Sequence, residues 1–289
     1  MNTNQIDISA KIHPNIVLGQ YNKIGKNVVI DIFNNQSKKI NVLIGDNNVI
    51  NDNTRILIYD DLSIGDWNVF HNDILLMAID KTSIGHNCWF GQNTVLDGTG
   101  CLNIGNGVRV GMYSQIWTHV ASGEQIEGCI LFDKRKTVIK DNVWLVGSCT
   151  VSSGVVIEER GTFLPHSVIT KNSLKDTTYS GTPAKPMENF KAYKKITLEE
   201  KFDLLKKWLL EFTSLNKNKF TIDINYNNIK IKNTDNQDEV IFTMSRNKID
   251  NNDKSIFYIF DKSFKKTNSL TERVIYKYLY NNKARFLPF

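Results

Sequence analysis

The dipeptide Ile-Gly begins at residues 24, 44, 64, 84 and 104, a constant step of twenty. Inside that step the apolar positions advance by six, six and eight: Ile44, Ile50, Ile56; Ile64, Phe70, Leu76; Ile84, Phe90, Leu96; Ile104, Val110, Ile116. A plain six-residue step precedes them through Ile6, Ile12, Leu18, Ile24 and Ile30. It returns later through Ile139, Leu145, Val151, Ile157, Phe163 and Ile169. Apart from the long gap after Ile116, the lattice lapses only near Gln36. A period of six is neither the 3.6 of a helix nor the plain alternation of a sandwich strand. It fits a chain that turns a corner every six residues and points one apolar side chain inward per flat side. Three sides make a coil of eighteen residues, and stacked coils bury a continuous core that no single repeat could bury. The eight-residue steps imply a two-residue bulge at one corner. Gly and Asn follow the lattice Ile in "IGDNNVI", "IGDWNVF" and "IGHNCWF", and both residue types tolerate the positive φ of a tight corner. The expectation is a triangular prism of parallel strands, about eight coils from residue 6 to 170.

The remaining features narrow the class. The 289 residues are 41 % hydrophobic, enough for a packed core. No apolar run reaches membrane-spanning length and Met1–Ala10 lacks a signal-peptide pattern, so the expected compartment is the cytoplasm. Cys88, Cys101, Cys129 and Cys149 show no CxxC spacing and read as buried or incidental thiols, with no zinc knuckle or redox pair. Three of the histidines outside the lattice break are too far apart along the prism to assemble a zinc site. The net charge of +6 is mild, with Lys concentrated toward the C-terminal third and no basic block of the kind that binds nucleic acid.

"IKDNVWLVGSCTVSSGVVIEERGTFLPHSVITKNSLKDTTYSGTPAKPM" resembles the closing coils of the galactoside, maltose and xenobiotic acetyltransferases, with their "NVW", "SVITK" and "GTPAK" elements. The resemblance covers roughly residues 6–188 and points to the hexapeptide-repeat acyltransferases, which include bacterial capsule and sialic-acid O-acetyltransferases. It implies a left-handed parallel β-helix over 1–188, acetyl-CoA as co-substrate, no metal, and a homotrimer with active sites between subunits.

Ile116 and the next lattice residue, Ile139, are 23 apart where eight would do. The resembled enzymes project a loop there, here about residues 117–138, with a catalytic His at its start. His119 holds that place. Acetyl transfer to a hydroxyl needs a group that takes the acceptor proton, and a neutral imidazole does so near pH 7. His13, His71, His86 and His166 fall at ordinary corners or turns. By the same resemblance the backbone N–H of Gly147 supplies an oxyanion donor. The family often has "WIG" here, whereas this chain has Val146 before Gly147. Trp144 precedes a lattice position and should point outward, either walling the acyl or acceptor site or burying area between subunits. Gly147, Pro165, Thr170, Lys171 and Lys185 match the stretch that meets CoA; the two lysines offer point charges to phosphate or are solvated surface residues.

After Pro186 the pattern changes. "LEEKFDLLKKWLLEFTSL" has helical spacing at Phe202, Leu205, Trp208, Leu209 and Phe212, with Thr197 and Glu200 placed as a capping box. "KFTIDINYNNIKIKN", "EVIFTMS" and "SIFYIFD" read as strands, and "LTERVIYKYLYNN" as a second helix. Residues 196–289 therefore form a small α+β unit that shapes acceptor choice, binds a polymer or joins other proteins, or whose aromatics simply fill its own core. The resemblance implies O-acetylation of a sugar hydroxyl on a bacterial surface polysaccharide (capsule, lipooligosaccharide or sialic acid) or its precursor. An N-acetyltransferase of an amino-sugar nucleotide and a non-catalytic β-helical scaffold remain as alternatives.

Overall fold

A computed structural model describes residues 3–33, 39–188, 190–248 and 254–289. The chain divides into two compact units, Met1–Tyr193 and Lys194–Phe289. The lapse in the lattice near Gln36 lies outside the described residues.

The first unit is a three-sided parallel coil, the geometry of the left-handed β-helix. Its faces are a ten-stranded sheet beginning at Gln5–Ile6, an eight-stranded sheet beginning at Lys11–Ile12, and a seven-stranded sheet that includes Val17–Leu18. We call these faces A, B and C. Apart from the closing strand Lys185–Pro186, each strand pairs in parallel with the strand one coil away, so Ile24, Ile50, Phe70, Phe90, Val110, Leu145 and Phe163 stand in one register on face A. From Ile24 to Ile169 every lattice residue is at most 4 % exposed. Phe70 and Phe90 stack inside the prism with ring centroids 4.8 Å apart. Ile6 departs from the pattern at 41 % exposed, because Gln5–Ile6 is an edge strand that packs on one side only.

The two residues added at each eight-residue step lengthen the strands before the corner and bring further side chains inward. Arg55–Ile58 and Leu75–Ala78 are four-residue strands, and Ile58, Ala78, Leu62 and Leu102 are buried along with the lattice residues. The longer step widens the coil and adds inward side chains to the core.

The Ile-Gly repeat has a packing cause. At the corner between faces C and A, a Cβ on Gly45 would collide with the carbonyl of Gly65 and the Asp66 side chain, and one on Gly85 with Gly105 and Asn106. The residue two after the lattice Ile at this corner caps the coil before it. Asp46, Asp66, His86, Asn106 and Asp141 accept in turn from the N–H groups of Gln20, Asp46, Asp66, His86 and Asn106, at 2.7–2.9 Å. Beside this column, Asn22, Asn48 and Asn68 each accept the backbone N–H of the next coil inside the prism. These bonds satisfy corner amides that the ladders cannot reach. Corner residues with positive φ include Asn47, Asn87 and Asn142, as their side chains favour, but also Trp67 and His166.

The second unit begins with α1, Leu198–Leu215, whose capping box is complete: the Glu200 N–H donates to Thr197 Oγ1 and the Thr197 N–H to the Glu200 carboxylate. Phe202, Leu205, Leu209 and Phe212 are buried, and Trp208 is half-buried. A six-stranded mixed sheet follows, and α2, Leu270–Leu279, is capped by Ser269. Val240, Phe242, Phe257, Phe264, Ile275 and Tyr276 fill the unit's own core. Among the described residues no helix is long and apolar enough to cross a membrane.

Candidate active site

Face B runs through Gln115–Ile116, after which the chain leaves the prism as an antiparallel hairpin. His119–Ala121 pairs with Phe132–Lys134, with His119 opposite Lys134. A single 3₁₀ turn, Gln125–Glu127, forms the tip, and the coil resumes at Thr137–Ile139. Ile126 and Ile130 on this hairpin are each 89 % exposed.

His119 stands at the base of the hairpin with its side chain one-third exposed. Its Nδ1 lies 2.8 Å from Oδ2 of Asp97, which is wholly buried. Sequence reasoning missed Asp97. It shares a register with Leu57 and Met77 on face B, at a position whose side chain points away from the lattice core. The signal was available: a carboxylate stands where the two preceding coils have aliphatic side chains, followed by "GTG". Gly100 is needed there because a Cβ would run into the Thr118 carbonyl and the Arg135 amide at the hairpin's base.

Asp97 is held from several sides. Oδ2 also accepts from the Thr118 N–H at 2.8 Å and the Thr118 hydroxyl at 2.9 Å; Oδ1 accepts from the Thr99 hydroxyl and, at 3.2 Å, the Thr99 N–H. Burial alone would raise this carboxyl, but the bonds from Thr99, His119 and Thr118 outweigh it and hold it below its ordinary value. In a neutral imidazole that donates Nδ1–H to an ionised Asp97, the lone pair is on Nε2. Nε2 has no partner among the described residues. The arrangement is that of an imidazole oriented by a carboxylate to take a proton at Nε2.

The other candidate residues lie elsewhere on the prism. Trp144 is on the outer side of face A, 46 % exposed, in register with Arg109 and Thr162. Gly147 follows at the corner between faces A and B; its N–H donates to no group among the described residues. Pro165 is exposed at the same corner, where the His166 N–H donates to the Gly147 carbonyl. Thr170 and Lys171 are exposed at the next corner, from which the hairpin also departs two coils earlier. Lys185 is exposed in the short antiparallel strand Lys185–Pro186 that closes face A. Among the described residues, Asp97 and Trp117 meet the His119 ring, Trp117 at 6.0 Å between ring centroids. Trp144 and Gly147 are not brought to it.

The remaining histidines serve the coil. His86 Nδ1 accepts the Asp66 N–H, His13 Nδ1 the Asn15 N–H, and His71 lies edge-on to Trp89. All four cysteines are free thiols, and burial pushes those of Cys101 and Cys149 up, away from thiolate chemistry. Among the described residues no group of three or more His, Cys, Asp or Glu is arranged to hold a metal.

Solved structures similar to this chain include a maltose O-acetyltransferase from Clostridium difficile 630, at 23 % identity and TM-score 0.35, covering 39 % of this chain and 60 % of that one. This match therefore spans less than two thirds of that enzyme. The polysialic acid O-acetyltransferase OatWY is similar at 18 % identity and TM-score 0.35, over 68 % of this chain and 93 % of that one. AntD, an N-acyltransferase from Bacillus cereus crystallised with coenzyme A, is similar at 16 % identity and TM-score 0.34, over 71 % and 92 %. No family model and no curated protein matches the chain. Likeness this distant leaves the chemistry of the site to be argued from its own residues.

Proposed function

We propose that this protein is an acetyl-CoA-dependent O-acetyltransferase that modifies a sugar hydroxyl on a bacterial surface polysaccharide or its precursor. The observation that carries the reading is the His119–Asp97 pair at the base of the hairpin, with Nε2 free and a buried, ionised carboxylate behind it. His119 Nε2 takes the proton of the acceptor hydroxyl as its oxygen attacks the thioester carbonyl. The C–O bond forms, the C–S bond breaks, and the proton passes from Nε2 to the departing CoA sulfur. Asp97 stabilises the imidazolium formed in between. The uncommitted N–H of Gly147 suits the developing oxyanion. Lys171 and Lys185 provide positive charge for CoA phosphates, and Pro165 and Thr170 line its path.

Because Trp144 and Gly147 belong to a different side of the prism from His119, a site using all of them joins two copies of the chain. The exposed indole of Trp144 then walls the acceptor pocket of a neighbour, and the assembly is a homotrimer. Reliance on acetyl-CoA places the reaction in the cytoplasm.

The test is thiol release from acetyl-CoA across a panel of sialosides and other bacterial glycans. Acceptor-dependent release by the wild type, falling about 10²-fold or more in His119→Ala, supports the reading. Equal rates in both proteins remove His119 from the mechanism. A product stable to mild alkali identifies an amide and turns the reading to N-acetylation. Absence of release with every acceptor favours a scaffold.

A further inference from the structure

We propose that the second unit holds a binding site for an uncharged saccharide, in a cleft between the N-terminal half of α1 and the turn at residues 225–227. The cleft has a volume of about 430 Å³ and falls within the ~300–1,000 Å³ of small-molecule sites. It is formed wholly by residues between 199 and 244, so it is a different site from the His119–Asp97 pair.

The lining divides into an apolar floor and a polar rim. Phe202, Ile224 and Met244 are its less exposed members and give the floor. On the α1 side of the rim, Glu199, Asp203 and Lys206 stand four and three residues apart, on one stripe of the helix. Asp203 and Lys206 make no hydrogen bond or ion pair among the described residues. On the other side the turn is fixed at both ends. The Asn225 side-chain oxygen accepts the N–H groups of Asn227 and Asn228 at 3.1 and 2.9 Å, and the Asn227 carbonyl accepts the Met244 N–H at 3.0 Å. From this fixed turn the Tyr226 ring projects 87 % exposed, and the Asn225 amide NH₂ remains available as a donor.

The chemistry of the lining selects the ligand class. Carboxylates only accept hydrogen bonds, whereas an ammonium and an amide NH₂ only donate. A saccharide answers both, because each hydroxyl donates and accepts, and the C–H face of its ring covers an apolar floor or an aromatic ring. An anionic sugar meets two carboxylates against one ammonium, so the charge balance of the rim works against it. A basic peptide satisfies the carboxylates but sets its own cations against Lys206. In the acyl-transfer reading, the cleft holds a neutral glycan chain and raises the local concentration of acceptor. The cleft itself stands without that reading.

The experiment is isothermal titration of the full chain in the absence of acetyl-CoA. Maltohexaose, cellohexaose and an N-acetylglucosamine hexamer are the neutral probes, a sialic acid hexamer the anionic one, and pentalysine the basic one. The expected result is binding of at least one neutral probe, weakened about tenfold or more in Tyr226→Ala and in Asp203→Ala and retained in Tyr226→Phe, with the sialic acid hexamer at least about tenfold weaker than that probe. Both positions are exposed, and unchanged thermal unfolding of the variants shows that the fold of the unit is intact. Binding of no neutral probe overturns the proposal, as does neutral binding that neither alanine variant weakens. Equal or tighter binding of the sialic acid hexamer or of pentalysine, lost in Tyr226→Ala, also overturns it and makes the cleft an anion or peptide site. Binding is read without acyl transfer, so failure here and failure of the enzyme reading are separate results.

Discussion

At the scale of single residues, a buried carboxylate decides what His119 can do. Asp97→Asn keeps the shape of the pair but removes the charge and introduces an amide NH₂ among five donors. The variant is expected to lose about 10²- to 10⁴-fold in acceptor-dependent thiol release while acetyl-CoA still binds; an activity within threefold of wild type would exclude a role for the carboxylate. The same residue sets a pH dependence of stability. Its pKa is lower folded than its ordinary 3.8, so its contribution is complete above that value and is lost as the pH falls through the folded pKa. In urea unfolding, the stability gap between wild type and Asp97→Asn should therefore narrow as the pH falls below about 3.8. A gap that does not narrow there contradicts an ionised, hydrogen-bonded Asp97. Lattice periodicity made His119 legible because it marks the one long interruption. Asp97 lay inside a regular coil, and only the fold of the hairpin back over that coil covers it.

At the scale of elements, the two units are stabilised by different means. In the prism, each coil covers the apolar side chains of the next, and the corner column from Asp46 to Asp141 caps each coil from its neighbour. In the second unit, α1 starts with its own cap. Thr197→Ala removes the acceptor of the Glu200 N–H and is expected to cost about 1 kcal/mol in the unfolding transition that includes α1, with the prism's transition unchanged. Calorimetry of the full chain separates the two, and an equal shift in both transitions would show that the units do not melt independently. The helices and strands of this unit followed from spacing alone, since amphipathic periodicity and caps are local. The eight-residue step was legible only as an insertion, for the same reason. Spacing records that two residues are added but not which way their side chains turn, and here Ile58 and Leu62 turn inward.

At the scale of the whole molecule, the proposed site is divided between faces of the prism. If His119 of one copy works with Trp144 of another, mixing His119→Ala chains with Trp144→Ala chains, each unable to transfer acetyl groups alone, restores activity in assemblies that pair an intact His119 with an intact Trp144. Mixtures no more active than their components would place a complete site within one chain. The exposed apolar tip of the hairpin, with Ile126 and Ile130, is consistent with such a shared site, since apolar side chains on a protrusion gain most when another surface covers them. Sequence alone determined the prism, because a six-residue period with glycine at close-packed corners admits no other way to bury one side chain per side. It also singled out His119 at the interruption and the change of period after Pro186. The tertiary structure alone decided the partner of that histidine, the separation of Trp144 from it, and the inward turn of the longer steps. Each depends on contacts between segments a coil or more apart, which local spacing does not encode.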